Sequence, residues 1–296
     1  MAEAPHRVDA DLIRGWALPQ PGGDKSDRGT VLVVGGARQT PGAVLLAAET
    51  ALRVGAGKVQ VATAADAAPG LALRLPEAFV EALPVLGSGE LAVAAANRIC
   101  ALAEGADVVL LGPGLGDPDA AHLLLERVIP RLDTAVALDA LGTAYLTGNL
   151  DGVRHLEGRV LLTPNTTELA ATLQEPEDEV EQDVLAAARR LAETTGAVVL
   201  SGADTSYVVR PDGTAWVNDA GPSSLATAGS GDVKAGIVAG LMARGASPDQ
   251  AAVWGTWAHG RAGERLEGDV AGYLARDLTR AAPAALAEAE GADAAG

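Results

Sequence analysis

Cysteine and basic residues are scarce in this sequence, and each shortage excludes a class of site or partner. Cys100 is the only cysteine among 296 residues, which rules out an internal disulfide and any metal site built from several cysteines. The 22 basic residues are outnumbered by 39 acidic ones, giving a net charge of −17. Because phosphate groups would repel such a chain, nucleic acid and anionic membranes are excluded as expected partners.

The sequence also lacks long hydrophobic runs. No apolar segment approaches the roughly 18 residues of a membrane span, and the N-terminus has no charged-then-apolar signal pattern. We therefore expect a cytoplasmic enzyme. Aromatic residues make up only 3% of the chain, so Ala, Val and Leu must build most of the core.

Short β-branched or apolar runs alternate with longer helical patterns along the chain. This alternation predicts an α/β fold, with a mainly parallel central sheet covered by helices on both faces and an antiparallel hairpin near its end. No linker divides the chain, so we expect a single domain over 1–296, with loose tails at 1–10 and about 282–296. Predicted strands are 30–34, 58–62, 107–111, 135–138, 159–162, 197–201, 206–210 and 215–218. Predicted helices are 43–54, 91–103, 120–131, 167–173, 181–195, 233–243, 249–266 and 271–290.

Glycine-rich or polar clusters follow several predicted strands. In an open α/β sheet, ligands bind beyond the carboxyl ends of the strands, so these clusters predict a phosphate-rich ligand at one edge. Neither the Walker pattern nor the dinucleotide-binding fingerprint is present. The clusters are 35–36 with 40–43, 112–116, 163–168, 201–205 and 229–232.

The most informative cluster is the turn Gly229-Ser230-Gly231-Asp232, which runs directly into an apolar helical segment. The first N–H groups of a helix have no internal partner and can bind phosphate oxygens. An acid beside them can take a proton from a substrate hydroxyl, which makes Asp232 a candidate general base. The alternative is that Asp232 only complements the positive end of the helix.

An ordered series of motifs resembles the ADP-dependent NAD(P)H-hydrate dehydratases, a family of the ribokinase-like superfamily. The resemblance covers about 29–278 and implies a three-layer α/β/α fold. It also implies repair of hydrated NADH or NADPH: removal of water from the S epimer, with ADP converted to AMP and phosphate. The motifs are Val33-Val34-Gly35-Gly36 with Gly42-Ala43, Arg53-Val54-Gly55-Ala56-Gly57, Gly112-Pro113-Gly114-Leu115-Gly116, Leu162-Thr163-Pro164 with Glu168, Gly229-Ser230-Gly231-Asp232-Val233, and His259-Gly260-Arg261-Ala262-Gly263.

The resemblance also implies roles for individual residues. Asp232 is the expected catalytic base, and Glu168 is the expected Mg²⁺ ligand. The expected contacts of the hydrated dinucleotide are Ala43, Gly114, Asn165 and Asp232. The expected contacts of ADP are Ser201, Gly202, Ala203, Asp204, Thr205, Gly229, Ser230 and Gly231.

Three positions depart from the family pattern. Asn165 stands where the family usually has His, Ser201 where it has Lys, and Leu141 where it has a second Asp. The Asn-x-x-Glu spacing at 165–168 is also that of ribokinase-type sugar kinases. Two other functions therefore stay open: a kinase acting on a hydroxymethyl group of a vitamin precursor or sugar, and a nucleotide-binding protein without turnover.

Several polar residues have structural interpretations beside the functional ones. Asn165 and Glu168 are natural helix-capping residues. Lys234 is expected on a solvated helix face, with contact to phosphate as the alternative, and His259 is expected to pack or bond locally on its own helix. The tryptophans at 254 and 257 indicate core or subunit packing, and together with the family they suggest a homo-oligomer. A short lead before the first strand leaves no room for an epimerase domain, so a separate NAD(P)H-hydrate epimerase is the expected functional partner.

Overall fold

A computed structural model of the chain describes residues 4–20, 23–24, 27–269 and 272–291. It contains one sheet of ten strands in the order β1-β10-β9-β8-β7-β6-β5-β2-β3-β4, and β9 alone runs antiparallel to its neighbours. The strands are β1 His6–Arg7, β2 Thr30–Val34, β3 Lys58–Ala64, β4 Phe79–Leu83, β5 Val108–Leu111, β6 Ala135–Asp139, β7 Val160–Thr163, β8 Val198–Gly202, β9 Ser206–Val209 and β10 Ala215–Asn218.

Helices cover both faces of this sheet, as the alternation of elements predicts. They are α1 Ala10–Gly15, α2 Pro41–Arg53, α3 Ala68–Arg74, α4 Ala96–Ala103, α5 Pro118–Val128, α6 Thr166–Leu173, α7 Glu177–Gln182, α8 Val184–Thr195, α9 Ser230–Ala243, α10 Pro248–Asp269 and α11 Ala275–Ala289. One core cluster joins the sheet to α2, α9, α10 and α11, and a second joins it to α4, α5, α6 and α8. Alternate residues of the buried strands supply the two clusters, because successive strand side chains point to opposite faces.

Helices α2 and α9 pack closely because α9 presents glycines to α2. A Cβ at Gly236 would collide with the carbonyl oxygen of Ala47, and one at Gly240 would lie 2.8 Å from the carbonyl oxygen of Ala51. Only glycine permits this approach, so the two helices are held side by side. Their N-termini therefore reach the same edge of the sheet.

Most predicted elements are confirmed with shifts of a few residues, but three expectations need correction. The predicted helix 181–195 is interrupted at Asp183, whose side-chain Oδ1 accepts a hydrogen bond from Ala186 N at 2.9 Å and caps α8. Ala282, expected in a loose tail, is buried within α11. His6–Arg7, also expected to be loose, pairs with β10; residues 1–3 and 292–296 lie outside the described residues.

The strand Phe79–Leu83 was not predicted. It forms the edge of the sheet beside β3 and is only partly buried, so it lacks a continuous apolar run. Within the described ranges, none of the helices combines the length and apolar character that crossing a membrane requires.

Candidate active site

The glycine turn before α9 forms an open helix N-terminus. Gly229 adopts φ +89°, a conformation that favours glycine; a Cβ there would lie 2.7 Å from Leu46 Cδ1, the end of a flexible side chain of α2. The Ser230 N–H donates to the carbonyl of Thr227 at 3.1 Å and closes the turn. The next amides, of Gly231 and Asp232, are those that a helix leaves without an internal partner. The turn can therefore accept an anion.

Asp232 lies half-buried in the first turn of α9. Burial raises the pKa of this carboxyl to about 6, and repulsion from the Glu168 carboxylate adds to the effect. A carboxylate with this pKa is largely ionised at neutral pH and is a stronger base than an ordinary aspartate.

A second carboxylate, Asp139, ends β6 directly beside the end of β7. Its Oδ1 accepts a hydrogen bond from Thr163 Oγ1 at 2.7 Å, since the two residues are partners in the strand register. Asp139 is only 6% exposed. Its pKa is raised to about 7, chiefly by burial and further by the carboxylates of Glu168 and Asp232, against the opposing effects of the Thr163 hydrogen bond and the Lys234 charge. Three acids thus share this edge of the sheet.

Glu168 lies in the first turn of α6 and forms a capping box with Asn165. Glu168 N donates to Asn165 Oδ1 at 2.8 Å, and Asn165 N donates to Glu168 Oε2 at 3.0 Å. The predicted capping role of both residues is therefore confirmed. Burial raises the pKa of Glu168, while the Asn165 hydrogen bonds and the charge of Lys234 lower it.

Lys234 does not lie on a solvated helix face, contrary to expectation. It is half-buried, and burial lowers the pKa of its ammonium group, against the attraction of Asp139 and Glu168. Asp139 shares its strand face with Ala137, which belongs to the core cluster beneath α9. Lys234 projects from α9 toward these acids and partly balances their charge.

His259 is packed in the interior, as one form of the expectation has it, but its hydrogen bond reaches a different helix rather than its own. Its Nε2 lies 2.9 Å from Ser230 Oγ, so α10 contacts the first residue of α9. Burial lowers the pKa of His259 to about 3, and the positive charge of Lys234 contributes. The imidazole is neutral at physiological pH.

The two other predicted substrate contacts, Ala43 and Gly114, lie together. Gly114 adopts φ +71°, and a Cβ there would lie 2.9 Å from Ala43 Cβ. The Gly114 carbonyl accepts hydrogen bonds from Ala37 N at 2.8 Å and from Thr40 Oγ1 at 2.6 Å. Since α2 packs along α9, this pair lies on the same sheet edge as the turn at 229–232.

A residue that sequence reasoning missed supports these loops. Glu90 is buried, and its Oε2 accepts a hydrogen bond from Gly116 N at 3.1 Å. The carbonyl oxygen of the preceding residue, Gly89, accepts a hydrogen bond from Arg38 N at 2.9 Å. The segment 85–91 therefore ties the loop after β2 to the loop after β5. Only contacts distant in sequence reveal this role.

The predicted nucleotide loop, 201–205, divides into a buried and an open part. Ser201 is 1% exposed within β8, and its hydroxyl has no hydrogen-bond partner among the residues described. Ala203 and Asp204 are exposed at the tip of the β8–β9 hairpin. A cavity of about 410 Å³ opens beside this tip, between residues 203–205, Thr166 and the junction of α7 and α8.

A larger cavity, of about 630 Å³, lies away from these groups at the amino ends of β7 and β8. Its arginines already have acidic partners: Arg154 lies 2.8 Å from Asp151, and Arg210 lies 3.3 Å from Asp212. Size alone therefore does not identify the site. The clustered acids and the open helix end do.

The chain is similar over nearly its whole length to proteins of one family. A family model for NAD(P)H-hydrate dehydratases matches residues 31–284. A Xanthomonas campestris pv. campestris protein named ADP-dependent (S)-NAD(P)H-hydrate dehydratase is 41% identical over 286 residues, covering 94% of this chain and 95% of that protein. A Neisseria meningitidis protein of the same name is 34% identical over 268 residues, covering 87% and 85%.

Other relatives are longer. The Escherichia coli protein named bifunctional NAD(P)H-hydrate repair enzyme Nnr is 35% identical, and the match covers 92% of this chain but 50% of that protein. The chain thus spans about half the length of these bifunctional relatives. Among solved structures, a Bacillus subtilis ADP/ATP-dependent NAD(P)H-hydrate dehydratase co-crystallized with ATP/Mg²⁺ shares the fold, with a TM-score of 0.77, 24% identity and coverage of 97% and 99%. A ribokinase from Thermotoga maritima gives a TM-score of 0.58 at 18% identity, covering 86% and 99%.

Proposed function

This chain belongs to the NAD(P)H-hydrate dehydratase family, and we propose that the acids around Asp232 carry its reaction. The enzyme is an ADP-dependent hydro-lyase. It converts the S epimer of hydrated NAD(P)H back to NAD(P)H, with AMP and phosphate as the other products. The observation that supports this assignment best is the raised pKa of Asp232 at the open N-terminus of α9.

The proposed chemistry turns hydroxide, a poor leaving group, into phosphate. The ring hydroxyl attacks the terminal phosphorus of ADP, AMP departs, and Asp232 takes the hydroxyl proton. The amides that the turn leaves open hold the transferred phosphoryl group and stabilise its charge, whereas the Ser230 amide already donates to the Thr227 carbonyl. The nitrogen lone pair of the reduced ring then expels phosphate, and loss of a proton from the adjacent ring carbon restores the double bond.

The neighbouring residues suggest how the two substrates are arranged. We assign Ala43, Gly114 and Asn165 to the hydrated dinucleotide, because their loops share the edge of the sheet with Asp232. The adenylate part of ADP is assigned to 202–205, with Gly229, Ser230 and Gly231 around its phosphates. Ser201, at the position of the family lysine, contributes only by supporting this loop, since its side chain is buried. A kinase would share this geometry but would leave a stable phosphorylated alcohol.

Purified protein incubated with the S epimer of hydrated NADH and ADP should restore the absorbance of the dihydropyridine ring. AMP and phosphate should appear in equal amounts. Failure of recovery with either ADP or ATP would remove the dehydratase, and a stable phosphorylated product would favour the kinase. Absence of both reactions with retained ADP binding would favour a nucleotide-binding protein.

Magnesium fits the donors of this site. Glu168 uses Oε2 to cap α6, which leaves Oε1 for a metal or its water. No group of three or more His, Cys, Asp or Glu forms a metal cage in the described part of the chain. Mg²⁺ needs no such cage, because it is usually held by one or two carboxylates, water and substrate phosphates. When bound, it would neutralise phosphate charge.

Glu168→Gln should raise the Mg²⁺ concentration needed for half-maximal rate by about tenfold or more. Glutamine keeps the capping acceptor and removes the charge, so folding should be retained. The measurement is a Mg²⁺ titration at saturating ADP, with exposed Glu77→Gln as a control that should match wild type. An unchanged titration would show that Glu168 only caps its helix.

The rate should rise with pH through about 6, because only ionised Asp232 can accept the proton. With this pKa, kcat/KM for the hydrate at saturating ADP should be about tenfold lower at pH 5 than on the plateau above pH 7. ADP also titrates near neutral pH, so its affinity is measured separately at each pH. A profile without this rise would contradict the role of Asp232 as the base.

Three further expectations stay predictions. A separate NAD(P)H-hydrate epimerase is the proposed functional partner, by analogy with the bifunctional relatives. The cytoplasmic location rests on the sequence pattern alone. A homo-oligomer is proposed from the family alone, because Trp254 and Trp257 are buried within the chain and offer no subunit contact.

A further inference from the structure

The sequence motif at 259–263 has no part in the chemistry described above, yet it lies against the anion-binding turn. His259 Nε2 lies 2.9 Å from Ser230 Oγ, with the two residues 29 positions apart. Ser230 is 6% exposed and His259 is 9% exposed. Solvent therefore competes little for this hydrogen bond, which joins α10 to the residue that opens α9.

Two glycines of the same motif contact the segment that leads to the turn. A Cβ at Gly260 would lie 2.7 Å from the carbonyl oxygen of Ala220, and one at Gly263 would lie 2.8 Å from Leu225 Cδ2. Larger side chains would push this segment outward. Residues 259–263 thus form a surface of α10 on which 220–230 lies, fixed at both ends.

A serine within hydrogen-bond reach of a histidine also resembles a nucleophile and its base, but the surroundings argue against that role. A histidine base needs a partner that stabilises its protonated form. Here Lys234 lies nearby instead, and burial with this charge lowers the pKa of His259 to about 3. A hydrogen bond with the Ser230 backbone favours the protonated imidazole, but burial and the charge of Lys234 outweigh it. The pair is suited to holding a position rather than to moving a proton.

We propose that His259 is a positioning residue, which holds the Ser230 hydroxyl so that the first turn of α9 receives the transferred phosphoryl group in register with Asp232. The inference rests on the proposed function. Without this hydrogen bond, Ser230 is free to rotate and the turn can shift on α10. A displacement of about 1 Å at a reacting centre can cost on the order of a hundredfold in rate.

The test is a double-mutant cycle of His259→Phe and Ser230→Ala, with His259→Gln as the conservative variant. Each single variant should lower kcat by about tenfold or more, and the double variant should be no slower than either, because both remove one interaction. Glutamine can present an amide near the position of Nε2, so His259→Gln should recover most of the rate. Effects that multiply in the double variant would overturn the proposal.

Binding measurements separate this inference from the function itself. Calorimetry should show weaker ADP binding in His259→Phe but unchanged AMP binding, since only ADP carries the phosphoryl group that the turn holds. Equal losses for both nucleotides would indicate general damage to packing and would overturn the proposal. If the wild-type protein does not dehydrate the hydrate, the proposed function is wrong. The comparison of ADP with AMP binding still tests whether His259 positions the turn. If His259→Phe does not fold, the proposal requires that Ser230→Ala lowers kcat and ADP affinity and that His259→Gln does not.

Discussion

Asp232→Asn is expected to lower kcat by at least about a thousandfold while leaving ADP affinity close to that of wild type. Asparagine has nearly the same shape but cannot accept the hydroxyl proton at neutral pH. The backbone amides of the turn are unaffected, so the nucleotide should still bind. The measurement is recovery of dihydropyridine absorbance under saturating ADP, with ADP affinity determined by calorimetry.

A matched control separates this role from an interaction with the helix dipole. Asp119 occupies the first turn of α5, is exposed, and lies outside the acid cluster. If Asp232 served only the dipole, Asp232→Asn and Asp119→Asn would both cost about 0.3–1 kcal/mol of stability and leave the rate unchanged. We expect Asp119→Asn alone to behave in this way. Comparable activity of the two variants would refute the catalytic assignment.

The stability of Asp232→Asn should change in the opposite direction to that of a dipole residue. The pKa of Asp232 is raised from 3.8 to about 6 in the folded protein, so the native state holds its proton more tightly than the unfolded state. Its contribution to stability is therefore present below pH 3.8 and is lost as pH rises through about 6. Above pH 7 the asparagine variant should be at least as stable as wild type. In that case the ionised Asp232 serves the reaction but lowers the stability of the folded protein.

The sequence predicts best what depends on neighbouring residues. The turn at 229–232 and the capping box of Asn165 and Glu168 are both local patterns, and the structure contains both. The order of strands and helices follows from the alternation of short apolar runs with helical periodicity. Each of these signals lies within a few residues of the feature it predicts.

The rest depends on pairing and packing across the chain. The Asp139–Thr163 hydrogen bond needs the register of β6 with β7, which no local pattern contains. Lys234 was expected on a solvated helix face, the usual place for a lysine. Helix α9 lies on the sheet, however, so Lys234 is half-buried and interacts with the carboxylates of Asp139 and Glu168.

Gly112→Ala should lower the free energy of unfolding by about 3 kcal/mol or more. Gly112 adopts φ +122°, a conformation that alanine rarely adopts. A Cβ there would collide with the carbonyl oxygen of Asp139 and lie 2.5 Å from Gly142 N. Both neighbours are backbone atoms, so no side chain can move aside to relieve the collision.

Gly148→Ala is the matched control, because it separates backbone strain from collision. Gly148 adopts φ +75°, and a Cβ there would meet no atom within 4 Å, so only about 1–2 kcal/mol of conformational strain is expected. Urea denaturation of both variants measures the difference. Equal losses of unfolding free energy in the two variants would show that the ends of β5 and β6 can move apart at no cost in stability. We expect instead that the added methyl group separates those strand ends and moves both the Asp139 backbone and the loop of Gly114. Gly112→Ala should therefore also lose activity below its unfolding temperature. Gly148→Ala should keep its activity.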